Sequence, residues 1–422
     1  MRLHPHPRLR PHRHNLPLPF LPFLLLTSAP KNFSRINIHP LTLSVAKSLS
    51  FLEVSSTALR TQLRTWYAQL PFVAPHYAVK CNNDAQLLKW IHEFRPVGSS
   101  PRPGFDCASL REIDDACASG AAPSDIIYAQ PCKKHDDIRA AEDRGVTLTV
   151  ADSVEEIEKL GDAKWRGDVL VRLLVADGGS KQPFGKKFGA PVEWLPRMYD
   201  AAKFHGVAMT GFSFHVGSQC EDPRQYAAAI DDCKKSAVIA KTRGFETGVV
   251  DIGGGFVPNN RMFKAVAAQV RAAAATLPPS TKWLAEPGRF LAAPTTTLYT
   301  TVIGKKPVWP PPSTPEEPAW RLTVDESVYG CFSNIPFDGQ KPRLEHFKRA
   351  VVGAASRAAA SAKRRPTIVF GRTCDSGDLI DAAAPLSEVQ VGDVFRVRNM
   401  GAYTTVSASE FNGFPKPEVR YA

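Results

Sequence analysis

The sequence predicts an α/β protein, a (β/α)8 TIM barrel followed by a C-terminal all-β domain, on three observations. From about residue 55, short runs rich in Val, Ile, Phe and Tyr alternate with longer amphipathic stretches. The alternation accumulates eight strand-like runs, the number that closes a barrel. After residue 290 it stops, and further strand-like runs follow without barrel-type helices between them. An open doubly wound sheet is the structural alternative, and the count of eight favours the barrel.

In chain order, the first expected strand is Tyr77–Lys80, followed by a helix over Ala85–Phe94. Phe105–Ser109 leads into Leu110–Ala118, and Ile126–Gln130 into Ile138–Arg144. Leu148–Asp152 precedes the helix Val154–Leu160, where Ser153 is an N-cap and Glu156 stands three residues on, as in a capping box. Val169–Val175, Gly211–Gly217, Val249–Gly255 and Trp283–Glu286 complete the eight, with outer helices at Arg224–Lys241 and Met262–Ala275. Leu298–Ile303, Arg321–Val324, Thr367–Phe370 and Val394–Val397 supply the β domain. Pro307–Pro318 reads as a proline-rich loop, and Lys348–Arg365 as a surface helix or a flexible insert. The chain thus divides into an extension (1–50), the barrel (51–292) and the β domain (293–422).

A length of 422 residues suits one large and one smaller domain. With 43% hydrophobic and 22% charged residues, wholesale disorder is excluded. The formal charge of +12 is uneven: residues 1–52 hold seven Lys/Arg and no Asp or Glu, leaving +5 for the body. No basic stripe interleaves with aromatics, so no nucleic-acid partner is expected. The run Leu16–Leu26 is short and broken by Pro17, Pro19 and Pro22, so no membrane span is expected either. The acid-free start reads as an organelle or secretory targeting segment, or as a disordered extension outside the fold. Eight singly spaced cysteines, without a C-x-x-C pair or a His cluster at zinc spacing, point to free thiols in a reducing compartment and to no metal. The cytoplasm fits that reading, and organelle targeting by the extension stays open.

Barrels of this kind carry their reacting groups at the C-terminal ends of the strands. Lys80 ends the first strand, where confinement would favour the neutral amine that forms a Schiff base. A snorkelling surface lysine is the alternative. The seventh strand ends in Asp251-Ile252-Gly253-Gly254-Gly255, a phosphate cradle of free backbone N–H groups or a plain tight turn. The eighth gives Glu286-Pro287-Gly288-Arg289, a carboxylate for a ring nitrogen and a guanidinium for a phosphate, or a surface ion pair. The sixth gives His215 and Ser218, an imidazole to stack on a flat ring and a hydroxyl for a phosphate oxygen. A structural histidine is the alternative there. Together the four describe a pyridoxal-phosphate site.

With these residues assembled, the chain resembles the eukaryotic-type ornithine decarboxylases of the alanine-racemase-like class. The likeness runs from about Phe51 to the C-terminus through YAVKCNND (77–84), FDCAS (105–109), IIYAQPCKK (126–134), SFHVGSQC (213–220), DIGGGF (251–256) and AEPGRF (285–290). It continues through VYGCF (328–332), RTCDSGD (372–378), MGAYT (400–404) and FNGF (411–414). The resemblance implies pyridoxal 5'-phosphate as cofactor and decarboxylation of ornithine to putrescine, in polyamine biosynthesis. It implies Lys80 as the Schiff-base lysine with Asp106 beside it, and His215 stacked on the ring. It places Ser218, Gly253, Gly254, Gly255, Arg289 and Tyr403 on the phosphate, and Glu286 on the ring nitrogen. Cys374 would be the proton donor, and Phe337, Asp338 and Asp375 the substrate-binding set, its two carboxylates facing the distal ammonium. It also implies a homodimer whose sites combine Lys80 of one subunit with Cys374 and Asp375 of the other.

The chain departs from the family pattern in places. Gln182-Pro183-Phe184 stands where relatives carry an arginine before KFG, and Arg372 stands where they carry proline. Gly339 replaces the histidine after Asp338, and Ser376-Gly377-Asp378 leans toward diaminopimelate decarboxylases. Lysine or diaminopimelate decarboxylation, and an inactive regulatory paralogue, are the rival readings.

Overall fold

The computed structural model describes residues 50–347 and 364–422. The expected extension up to residue 49 and the insert from 348 to 363 lie outside the described residues. Strand β1 (Phe51–Val54) and helix α1 (Ser56–Gln69) come first. Strands and helices then alternate as β2 (Val73–Ala78), α2 (Ala85–Glu93), β3 (Gly104–Cys107), α3 (Leu110–Ala118), β4 (Ile126–Tyr128) and α4 (His135–Asp143). They continue through β5 (Leu148–Ala151), α5 (Val154–Asp162), β6 (Asp168–Arg172), the short β7 (Ser180–Gln182), α6 (Leu195–His205) and β8 (Ala208–Ser213). Next come β9 (Ser218–Cys220), α7 (Arg224–Thr242), β10 (Val249–Asp251), α8 (Asn260–Ala274), β11 (Lys282–Ala285) and α9 (Arg289–Ala292). Strands β2, β3, β4, β5, β6, β8, β10 and β11 are all parallel and close into one barrel, while β7 and β9 pair outside it.

Local chemistry sets the helix starts. Ser55, Asp84, Ser109 and Ser153 each accept a backbone N–H of the first turn of α1, α2, α3 and α5. At α3 the Glu112 carboxylate also reaches back to the Ala108 N–H, a reciprocal cap. At α5 the expected box is only half made: Ser153 caps, but Glu156 is buried against Lys133 (2.9 Å) and Lys159 (2.6 Å) instead. Two ammonium groups hold that carboxylate more strongly than one backbone amide.

Several elements differ from the expectations, three of them at or beside the barrel. The first barrel strand spans Val73–Ala78, all six residues buried, and Val79–Cys81 is a tight 3-10 turn. Lys80 therefore sits past the strand on the rim. Helix α6 was not anticipated; Leu195, Met198, Tyr199 and Ala202 give it a buried face at helical spacing, with Pro196 in the first turn. Finally, Phe51–Val54 does not serve the barrel. It pairs antiparallel with β12 (Thr296–Pro307) and parallel with the last strand, tying the start of the described chain to the second sheet.

That sheet contains β12, β13 (Trp320–Val324), β14 (Glu345–Phe347), β15 (Arg365–Phe370), β16 (Leu379–Leu386), β17 (Val394–Val397), β18 (Glu418–Tyr421) and β1, with helix α10 (Asn334–Asp338) between β13 and β14. It is mixed, since β13 and β15 run parallel while β12 is antiparallel to β13 and β17. Arg365, expected to close the insert, opens β15.

The barrel interior is filled by Ile127, Val150 and Leu170. The larger core lies between strands and helices, where Trp66 of α1 packs on Phe256, Phe263 and Phe290. A separate cluster around Leu298, Val324, Phe332 and Phe395 holds the second sheet. Among the described residues, no helix is long and apolar enough to cross a membrane.

Candidate active site

The C-terminal rim of the barrel gathers most of the expected residues. Lys80 Nζ lies 2.6 Å from Asp106 Oδ2, with Asp106 fully buried on β3 and Lys80 about 40% exposed. Burial works against the ammonium, but the charges of Asp106, Glu286 and Tyr403 outweigh it and hold the Lys80 pKa above the ordinary lysine range. The expectation of a neutral, desolvated amine is therefore corrected: Lys80 rests as an ammonium because an anion is hydrogen-bonded to it. The other Asp106 oxygen is buried without a partner.

Glu286 follows β11, and its backbone N–H donates to the Gly253 carbonyl at 2.6 Å. Burial raises its carboxyl well above the ordinary range, reinforced by the charges of Asp106 and Asp251 and opposed by Lys80 and Arg172. Asp251, fully buried at the end of β10, is pushed up to about 6 mainly by burial. Three acids thus share a low-dielectric space with two cations, and burial disfavours ionising Glu286 and Asp251 together. The sequence reading gave neither Asp251 nor Arg172 a role. Asp251 stood inside a quoted motif, whereas Arg172 ends β6 with no local signature.

His215 follows β8. Burial, then the charges of Arg172 and Lys80, hold its pKa well below the usual histidine value, so the imidazole is neutral. Its Nδ1 accepts the Gly217 N–H at 3.0 Å, which leaves Nε2 as the donor. The Phe184 ring tilts against it, with centroids 4.8 Å apart.

The glycines beside it are required by space. Gly253 has φ 60°, and a Cβ there would collide with the Phe214 carbonyl; at Gly254 a Cβ would lie 2.7 Å from His215 Nε2. Gly255 has φ 99°, and its Cβ would stand 2.6 Å from the Gly217 carbonyl.

Arg289 opens α9. It donates both Nη atoms to Asp338 at 2.6 Å each and Nη2 to Ser218 Oγ at 3.2 Å, and the Tyr403 ring covers its guanidinium at 5.0 Å. Tyr403, at φ 55°, is tied to the Lys80 turn by its N–H on the Cys81 carbonyl. Asp338, expected to face a substrate ammonium, is thus placed on Arg289, because a buried guanidinium draws the nearest free carboxylate.

Cys374, Asp375 and Phe337 are not joined to this group. Cys374 is exposed, and its N–H donates to Asn412 Oδ1 at 3.0 Å. Asp375 accepts from the Tyr329 hydroxyl and from the Gly377 N–H. Those bonds hold its carboxyl below the ordinary range. Tyr329 stacks on Phe411 at 4.3 Å. Phe337 is 71% exposed. Tyr329, Phe411 and Asn412 lay in quoted motifs without a role, and only the folded loops reveal one.

A parallel barrel whose rim collects a lysine amine, a buried carboxylic acid, a neutral imidazole and a glycine cradle beside an arginine defines an enzyme that carries pyridoxal phosphate. The model of the pyridoxal-binding domain of pyridoxal-dependent decarboxylases matches residues 56–293, and the chain belongs to that family. Ornithine decarboxylase of Caenorhabditis elegans is 32% identical over 383 residues, covering 88% of this chain and 87% of that protein. Antizyme inhibitor 2 of Xenopus laevis is 34% identical over 363 residues, covering 84% and 76%. The Paramecium bursaria Chlorella virus arginine decarboxylase bound to agmatine matches with a TM-score of 0.80 at 30% identity, over 89% of this chain and 96% of that one.

The residues fit the cofactor. The three glycines keep the backbone free of side chains beside His215. Arg289 Nε is buried without a partner, beside the hydroxyl of Ser218.

Proposed function

We propose that the protein decarboxylates L-ornithine to putrescine, feeding polyamine biosynthesis, as a homodimer whose sites each draw on both subunits. The observation that carries the substrate is Asp375, a carboxylate kept ionised by Tyr329 and Gly377, which would pair with a distal ammonium. The ornithine decarboxylase of C. elegans, similar over nearly the whole chain, supports the same substrate. The dimer is supported by apolar side chains left exposed near Cys374: Phe411 (39%) and Leu379 (37%). Neither nucleic acid nor membrane enters the proposal. Eight free cysteines support the cytoplasm.

Pyridoxal phosphate, when bound, supplies an aldehyde that condenses with amines and a cationic ring that accepts the electron pair left by CO2. Lys80 would hold that aldehyde, passing its proton to Asp106 across the 2.6 Å contact before it acts as a nucleophile. Glu286 would exchange its proton with the ring nitrogen, and His215 would lie flat against the ring. Arg289, Ser218, Tyr403 and the N–H groups of Gly253, Gly254 and Gly255 would hold the phosphate. Arg289 would give up Asp338 on binding the phosphate, and Asp338 would then be free to join Asp375 on the substrate. Cys374 of the second subunit would deliver a proton to the α-carbon after CO2 leaves.

Mixed dimers test this. Lys80→Ala and Cys374→Ala homodimers should each fail to form putrescine cleanly. Mixing equal amounts should restore about a quarter of the wild-type rate, through the one intact site of each hybrid. No recovery would remove the shared-site reading. A panel of ornithine, lysine, arginine and diaminopimelate should favour ornithine; a preference for lysine would move the protein to the sister activity. A colourless protein that takes up no cofactor would favour a regulatory role like that named for the Xenopus relative.

A further inference from the structure

We propose that Arg372 is a positioning residue for Cys374: it clamps the loop 373–377 onto the turn 411–415. The inference rests on the reading of Cys374 as proton donor and adds what holds that donor in place.

Arg372 makes three contacts with distinct parts of the chain. Its backbone N–H donates to the Glu326 carbonyl at 3.2 Å. Its Nη2 donates to the Pro415 carbonyl at 3.0 Å. Its guanidinium lies 4.4 Å from the centroid of Phe414, a cation–π contact. Within that same turn, Asn412 accepts the Cys374 N–H, and Phe411 stacks on the tyrosine that bonds Asp375. The turn therefore holds the Cys374 backbone directly and the Asp375 carboxylate through Tyr329, and Arg372 fastens it from the loop's own base.

The other end of the loop is independently fixed. Asp378 is buried and accepts the N–H and hydroxyl of Thr373 together with the Val328 N–H. Cys374 lies between this anchor and the Arg372 clamp. Proline, which the family pattern carries at this position, has neither a backbone donor nor a charged side chain. It could make none of the three contacts, so this chain holds its loop by a different device.

The consequence is chemical. When the bond from the α-carbon to the carboxylate breaks and CO2 leaves, the electron pair stays on the carbon framework shared with the cofactor. A proton from Cys374 to the α-carbon gives the diamine. A proton reaching the cofactor's former aldehyde carbon instead gives, after addition of one water, an amino-aldehyde and an aminated cofactor. Placement of the thiol decides between the two.

The test uses the full-length holoenzyme as Arg372→Ala, Arg372→Lys and Arg372→Pro. The first readout is the ratio of amino-aldehyde to CO2, which does not depend on how much enzyme is folded. The second is hydrogen exchange of peptides covering 372–378 and 410–416. Arg372→Ala should raise the ratio severalfold and speed exchange in both peptides about tenfold. Arg372→Lys, which keeps a cation over Phe414, should recover part of both effects, and Arg372→Pro should match or exceed Ala. Should the Ala variant fail to fold, a wild-type ratio in Arg372→Lys together with Arg372→Pro overturns the proposal. A wild-type ratio in Arg372→Ala overturns it even if exchange quickens, because the residue would then be structural only. Cys374→Ala is the control for the underlying reading: if its ratio equals wild type, the donor assignment itself has failed.

Discussion

The Lys80 rim and the Cys374 loop follow opposite building rules. On the rim, Asp106, Glu286 and Asp251 are buried at or just past barrel strands, and parallel pairing on both sides fixes their backbone. Their chemistry depends on a low dielectric, since burial is the leading cause of the raised pKa of both Glu286 and Asp251. The loop sits between β15 and β16, with Cys374 exposed, Asp375 half-buried, and both held by contacts from separate turns. A rigid, dry rim suits groups that must keep a proton in a set place. An open loop suits groups that must meet something laid over them. The difference teaches that one chain fixes reactive side chains in two ways, by burial beside paired strands on the rim and by contacts from separate turns at the loop.

The comparison breaks most visibly at Lys80. Lys80→Ala should lower turnover by roughly 10³-fold or more, abolish the coloured cofactor band, and leave the loop's hydrogen exchange unchanged. A variant that kept the band would place the cofactor elsewhere.

Next is the buried Arg289–Asp338 pair, 8% and 5% exposed. Arg289→Ala strands a carboxylate in the interior, an expected loss of about 3–5 kcal/mol of stability. Urea denaturation of the apoenzyme measures it. A loss below about 1 kcal/mol would show the pair to be solvated, and the contrast between rim and loop would weaken.

Asp251 sharpens the contrast through pH. Its folded pKa of about 6 lies above the unfolded value of 3.8, so between those values the folded protein binds more protons. The stability it contributes is full below about pH 4 and lost as pH rises through about 6, by up to about 3 kcal/mol. Glu286, also raised, acts in the same direction. Asp251→Asn should flatten the profile over that window. An unchanged slope would assign the effect to another group.

Legibility in the sequence follows the same divide. The eight-fold alternation exposed the barrel, and the strand-end motifs exposed Lys80, His215, the glycines and Glu286, because rim chemistry is concentrated in short contiguous segments. Asp338 on Arg289 was not legible, since the partners are 49 residues apart and only the packing of α10 brings them together. Arg172 was missed because its influence on His215 and Glu286 acts through the barrel interior and not through a motif. In the second sheet, β16 carries a run of alanines and β18 is mostly exposed, so neither has the apolar alternation that marks a strand. The loop's supports were quoted in motifs, yet their pairing depends on how turns from three parts of the chain meet.

The smallest effect belongs to Asn412, and it separates two contributions that the loop combines. Asn412 adopts φ 58°, a left-handed conformation that Asn and Gly tolerate better than other residues. Its side chain also accepts the Cys374 N–H. Asn412→Gly keeps the conformation and removes the acceptor, an expected loss of about 1 kcal/mol. Asn412→Ala removes both, and the strained backbone adds about 1 kcal/mol more. Exchange of the Cys374 amide should therefore quicken in both variants, while global stability should fall further in Ala than in Gly. If the two variants exchanged and unfolded alike, backbone conformation would contribute nothing. The turn would then hold the thiol by its one hydrogen bond and by the neighbouring contacts of Phe411 and Phe414.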